Sequence, residues 1–176
     1  MRSAAKQAKK ASKEYREPTE SEKRLIYTIY ELLYSSHFTL PKKRTMMTAA
    51  LGYETWSWRV VGITEEAIKA IARNGFNKPS RMLARDHSRP RAETYTKIFA
   101  EEKMPFQVWW DWVWEHDQTV LMTNEEHHDP TKRSRTYPIN PAESYFVDGE
   151  VAGWYQTKAR EGALVQSMVE KYSIAY

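Results

Sequence analysis

The sequence predicts an α+β protein: one mostly helical domain with a short β element beside a candidate metal site. Three observations carry this reading. Apolar residues recur at helical spacing in several windows; the run Gln118 to Thr123 is β-branched and apolar in its middle; and a polar stretch dense in ligating side chains follows that run directly. At 176 residues the chain is long enough to bury one sizeable core.

Folded sequence is expected from residue 19 to 176, after a flexible basic arm over 1–18. Thr19 and Glu22 form a capping box, and Leu25, Ile26, Ile29, Leu32 and Leu33 give the first helix its apolar face, to about Ser36. Pro41 interrupts. Met46 to Leu51 suggests a short helix and Trp56 to Val61 an extended segment. Thr64 starts the next helix, with Glu65 and Glu66 in its first turn and Gly75 as its stop. Pro90 opens another, where a missing amide costs nothing, and Lys103-Met104-Pro105 ends it.

Phe106, Trp109, Trp110, Val113 and Trp114 then share one helical face, a pattern that usually means core, with a base-stacking platform as the alternative. The strand Gln118 to Thr123 follows. Residues 124 to 140, with two prolines, read as a long loop of the kind that often carries function. Asp148-Gly149 between Phe146, Val147 and Val151 suggests a hairpin turn, and residues 154–172 a closing helix.

Charge narrows the function classes. The net charge is +4, and residues 1–17 account for all of it, six positives against Glu14 and Glu17. Further clusters are Lys42, Lys43 and Arg44; Arg73 to Arg91, including Arg81, Arg85, Arg89 and Arg91; and Lys132, Arg133 and Arg135. Such patches attract phosphate by releasing its condensed counterions; the bland reading of each is a solvated surface. An Ala/Lys/Ser-rich arm buries little apolar surface, so it is expected to be disordered when free and to settle on nucleic acid. The mean hydropathy of −0.76, and the lack of any long apolar run, argue against a membrane partner and for a cytoplasmic protein. With no cysteine, a bound metal would need His, Asp, Glu or Asn ligands.

Two constellations carry chemistry. Asp86-His87, between Arg85 and Arg89-Pro90-Arg91, places a carboxylate and a near-neutral base among phosphate-binding groups. Asn124-Glu125-Glu126-His127-His128-Asp129 follows the strand with an unusual density of ligating groups. Their bland readings are a helix cap and a solvated turn. His37 and His116 lack partners in sequence and read as structural.

Asp86-His87 with Pro90, then Asn124 and His127 or His128, resembles the HNH group of endonucleases, the His-metal finger nucleases that include free-standing phage homing enzymes. The resemblance implies His87 as general base, Asp86 with His127 or His128 as metal ligands, and Asn124 as the amide that organises the motif. It also implies a hairpin between the two halves, a stretch where periodicity predicts two helices. The resulting expectation is a DNA endonuclease acting on double strands with Mg2+ or Mn2+, with Arg85, Arg89 and Arg91 on the backbone.

A second nuclease pattern, the restriction-like one, is vaguely matched by Asp148, Glu150 and Gln156-Thr157-Lys158. Outside catalysis, the same patches suit a DNA- or RNA-binding regulatory protein, and the arm suits an interaction protein for acidic partners. No small-molecule cofactor is expected. A palindromic target would imply a homodimer.

Overall fold

The computed structural model describes residues 17–52, 57, 59–140, 145–146 and 156–176. Nearly all of the basic arm and the Asp148-Gly149 turn, with Glu150, lie outside the described residues. Within them the chain is α+β and mostly helical, with seven helices and a four-stranded sheet.

Helix α1, Glu20–Ser35, starts at the Thr19 capping box. Its buried stripe is Ile26, Tyr30 and Leu33, whereas Leu25 and Leu32 stand exposed, so the core face is rotated from the one the aliphatic residues alone suggest. Helix α2, Leu40–Gly52, includes Pro41 in its first turn, where no amide is required. With α4, Arg91–Ala100, and α5, Phe106–His116, these form one hydrophobic cluster around Trp109, Tyr30, Met47, Leu51, Tyr95 and Ile98. The aromatic stripe of α5 is therefore core: Trp109, Trp110 and Val113 are buried.

The sheet has the order β2-β3-β1-β4, with β1 Arg59–Thr64, β2 Leu83–His87, β3 Gln118–Thr123 and β4 Thr136–Pro138. Strands β1 and β3 run parallel; β2 pairs antiparallel with β3 from Leu83↔Thr123 to His87↔Thr119. The β1–β3 register shifts between Val60 and Gly62, and this bulge lets Val60 and Ile63, three residues apart, face the same core. Helix α3, Glu65–Arg73, packs there through Ala67, Ile68 and Ile71, and α7, Ala163–Tyr172, through Val165 and Met168. Helix α3 ends where expected, at Gly75 with φ 63°, followed by Phe76 donating back to Ile71 O.

Three expectations change. Residues 83–87 form an edge strand, whereas the sequence reads Asp86-His87 as a turn able to cap the helix that Pro90 opens. The stretch 124–140 is not one long loop: it holds helix α6, Asn124–His128, a 3-10 turn at Pro130–Lys132, and β4. Thr123 explains the helix, because it forms a capping box with Glu126. The closing helix is preceded by a π-turn, Lys158–Gly162. No helix among the described residues is long and apolar enough to cross a membrane.

Candidate functional site

Strands β1 and β3 end alike, each in a threonine whose hydroxyl caps the next helix: Thr64 for α3 and Thr123 for α6. Glu126 ties the two ends together. Its Oε2 accepts from the Thr64 hydroxyl at 2.8 Å and from the Thr123 amide and hydroxyl at 2.9 Å, while Oε1 accepts from the Ser134 amide and hydroxyl at 2.9 and 2.6 Å. Burial alone would raise its pKa, but the bonds from Ser134, Thr123 and Thr64 outweigh this and hold the carboxyl below its ordinary value. Glu126 is thus a buried anchor that fixes Lys132 to Arg135 beside α6.

That anchoring brings the two distant constellations together in part. Asp86 Oδ1 lies 3.8 Å from His127 Nε2, and Asp86 Oδ2 accepts from Arg133 at 2.5 Å. His127 and His128 are exposed, with ring centroids 5.4 Å apart. His128 Nδ1 lies 2.6 Å from the Asn124 carbonyl; a carbonyl only accepts, so Nδ1 is the donor here and, in the neutral ring, Nε2 is the basic nitrogen. The Asn124 side chain donates to Arg81 O at 2.6 Å and its amide to Met82 O at 2.8 Å, clamping the chain entering β2.

His87 goes elsewhere. Successive strand residues point to opposite faces, so Asp86 turns toward α6 while His87 turns toward Asp117, with Nε2 3.3 Å from Oδ1. Asp117, buried between α5 and β3, also accepts from Arg91 Nη2 at 2.6 Å and from Ser57 at 3.0 Å. Burial pushes its pKa up, but Arg91, with His87, more than offsets this and holds it at about 2.

The arginines expected on a phosphate are largely engaged inside the protein. Arg85 donates to Phe146 O at 3.1 Å, Arg89 to His116 Nε2 at 2.9 Å, and Arg91 to Asp117. His116, buried, donates from Nδ1 to Trp112 O and stacks on Trp112, a structural role. Lys43 donates to Tyr34 O, Arg44 to Thr96, and Lys42 lies over the Phe38 ring. On the α6 side, Lys132 pairs with Glu125, Arg133 with Asp86, and Arg135 lies over Tyr137. Of the restriction-like pattern only Gln156 to Lys158 is described; Gln156 donates to Phe76 O and Thr157 to Glu161.

Among the described residues no group of three or more His, Asp or Glu stands together as a metal cage. Sequence reasoning missed Asp117 altogether; its one signal was an acid placed between an aromatic helix and an apolar strand. Searches of protein-family models, curated proteins and solved structures find no match to this chain.

Proposed function

We propose that the protein is a metal-dependent DNA endonuclease whose cutting site is the α6 face of β2. The observation that carries this is the meeting of Asp86 with His127, 3.8 Å apart across 41 residues of sequence, beside Arg133. The antiparallel pair β2–β3, running into α6, supports it further by setting Asp86 beside the helix that carries His127, while α4 and α5 occupy the connection where the HNH resemblance implies a hairpin.

A carboxylate and an imidazole at that separation suit an ion that takes few protein ligands and completes its shell with water and phosphate oxygens. Asp86 and His127 would hold Mg2+ or Mn2+, whose charge, when bound, offsets the negative charge that builds on the phosphate. His128, with Nε2 as the basic nitrogen, takes the proton from the attacking water as its oxygen bonds to phosphorus and the bond to the leaving oxygen breaks. Lys132, Arg133 and Arg135 hold the strand. His87 acts at a distance, as part of the buried Asp117 network.

The test is incubation of supercoiled plasmid with Mg2+ or Mn2+. Cleavage abolished by EDTA, by Asp86→Asn and by His127→Ala is expected, with His128→Ala down about 100-fold. His87→Ala should lose activity only in step with its folded fraction. A well-folded His87→Ala that is inactive, beside an active His128→Ala, would return proton acceptance to His87. One observation favours a second reading, binding without cutting: Arg133 already neutralises an Asp86 oxygen. Intact plasmid that is nonetheless retarded in a salt-sensitive way selects that reading.

A further inference from the structure

A cleft of about 540 Å3 opens beside the proposed cutting site, between α3, the chain entering β2, and α6. Its lining includes Arg73, Arg81, Met82, Glu66, Glu125 and Lys132. The acids are already engaged. Glu66 binds Lys69 at 2.9 Å, Glu125 binds Lys132 at 2.5 Å, and Glu126, behind them, accepts from Thr64, Thr123 and Ser134. Arg73 and Arg81 are exposed and have no ion-pair partner among the described residues.

Arg81 has a second distinction. Its φ is 57°, a left-handed backbone that disfavours any residue with a Cβ and that glycine adopts freely. Such strain persists only where the surroundings impose it, and here Asn124 does so by donating its side-chain amide to Arg81 O and its backbone amide to Met82 O. The neighbour Met82 is 53% exposed, a large apolar side chain in a polar cleft. Two planar guanidinium forks and an apolar rest match a phosphate with its nucleoside, and the volume admits one such unit.

We propose that this cleft holds one nucleotide of a bound DNA strand, its phosphate gripped by Arg73 and Arg81 and its sugar and base lying on Met82. The inference rests on the reading of the protein as a DNA-binding enzyme. Asn124 and Glu125 of α6 border the cleft while His127 of the same helix meets Asp86 at the cutting site, so one short element spans both.

The test uses the full chain in EDTA, so that binding is read without cleavage. Anisotropy of a short fluorescein-labelled duplex should show Arg81→Gly and Arg73→Gln each weakening binding about tenfold. Each should flatten the salt dependence by about one phosphate contact. Arg81→Gly should melt at the same temperature or higher, because it removes strain. Thymidine 5′-monophosphate should shift the Arg81, Met82 and Asn124 amide resonances of the wild type and not of Arg81→Gly. DNA binding that neither arginine variant alters overturns the cleft and leaves the DNA-binding reading standing, as does a loss that merely follows unfolding. A wild type that binds no DNA sinks the proposed function and with it the DNA strand in the cleft, whether or not the mononucleotide binds at these amides.

Discussion

Asp117 shows how a single residue can be decisive yet silent in sequence. It is an acid among several, and only the fold reveals that Arg91, His87 and Ser57 converge on it. Its pKa is depressed from 3.8 to about 2 in the folded chain, so the unfolded chain binds more protons between those values. Stability from this group is therefore full above pH 3.8 and fades as pH falls toward about 2. At neutral pH it amounts to roughly 2 kcal/mol. Asp117→Asn removes a carboxylate from a buried cation and should cost about 3 kcal/mol or more. Urea unfolding of the two proteins from neutral pH down to about pH 3 measures both: the gap should be widest at neutral pH and narrow on acidification. A gap that widens in acid would contradict the assignment.

At the scale of elements, legibility followed capping and periodicity. The starts of α1 and α3, the stop at Gly75 and strand β3 were readable because Thr-x-x-Glu, Thr-Glu-Glu, a helix-ending glycine and a β-branched run each have a local physical cause. Strand β2 was not. Leu83-Ala84-Arg85-Asp86-His87 has one large aliphatic residue, and its inward positions Arg85 and His87 are satisfied by partners distant in sequence, Phe146 and Asp117. Helix α6 was hidden in the same way, its capping box being legible only if Glu126 is seen as a cap rather than a ligand. Glu126→Ala should leave the Thr64, Thr123 and Ser134 donors without their acceptor, at a cost of about 3 kcal/mol. The Ser134 amide should then lose its hydrogen-exchange protection, whereas Ile71 should keep its own; equal loss at both would mean general unfolding. Gly162 makes a parallel case for α7. A Cβ there would lie 2.6 Å from the Phe76 carbonyl oxygen, which is backbone and cannot swing aside. Gly162→Ala should therefore destabilise by about 1–3 kcal/mol, although alanine is the better helix former, and chemical denaturation checks the sign.

At the scale of the whole molecule, the buried apolar side chains among the described residues form two clusters, one of α1, α2, α4 and α5, the other of the sheet with α3 and α7. A polar belt joins them. Arg91 at the start of α4 and Asp117 at the end of α5 belong to the helical side; His87 ends β2 on the sheet side; and Arg59 of β1 donates to Trp114 O and covers the Trp114 ring at 3.4 Å. Hydrophobic burial is non-directional and could join the clusters at many angles, whereas a buried ion pair with fixed partners accepts one. The belt therefore sets how the helical lobe sits against β2. If the belt couples the lobes, wild-type calorimetry should give one unfolding transition, and Asp117→Asn should split it into two. Amide exchange should then separate as well, with Tyr30 and Ile98 protected to a different free energy from Ile63 and Leu121. A single transition that only moves to lower temperature, with both groups of amides falling together, would show that apolar contact alone couples the lobes and that the belt adds stability without setting their angle.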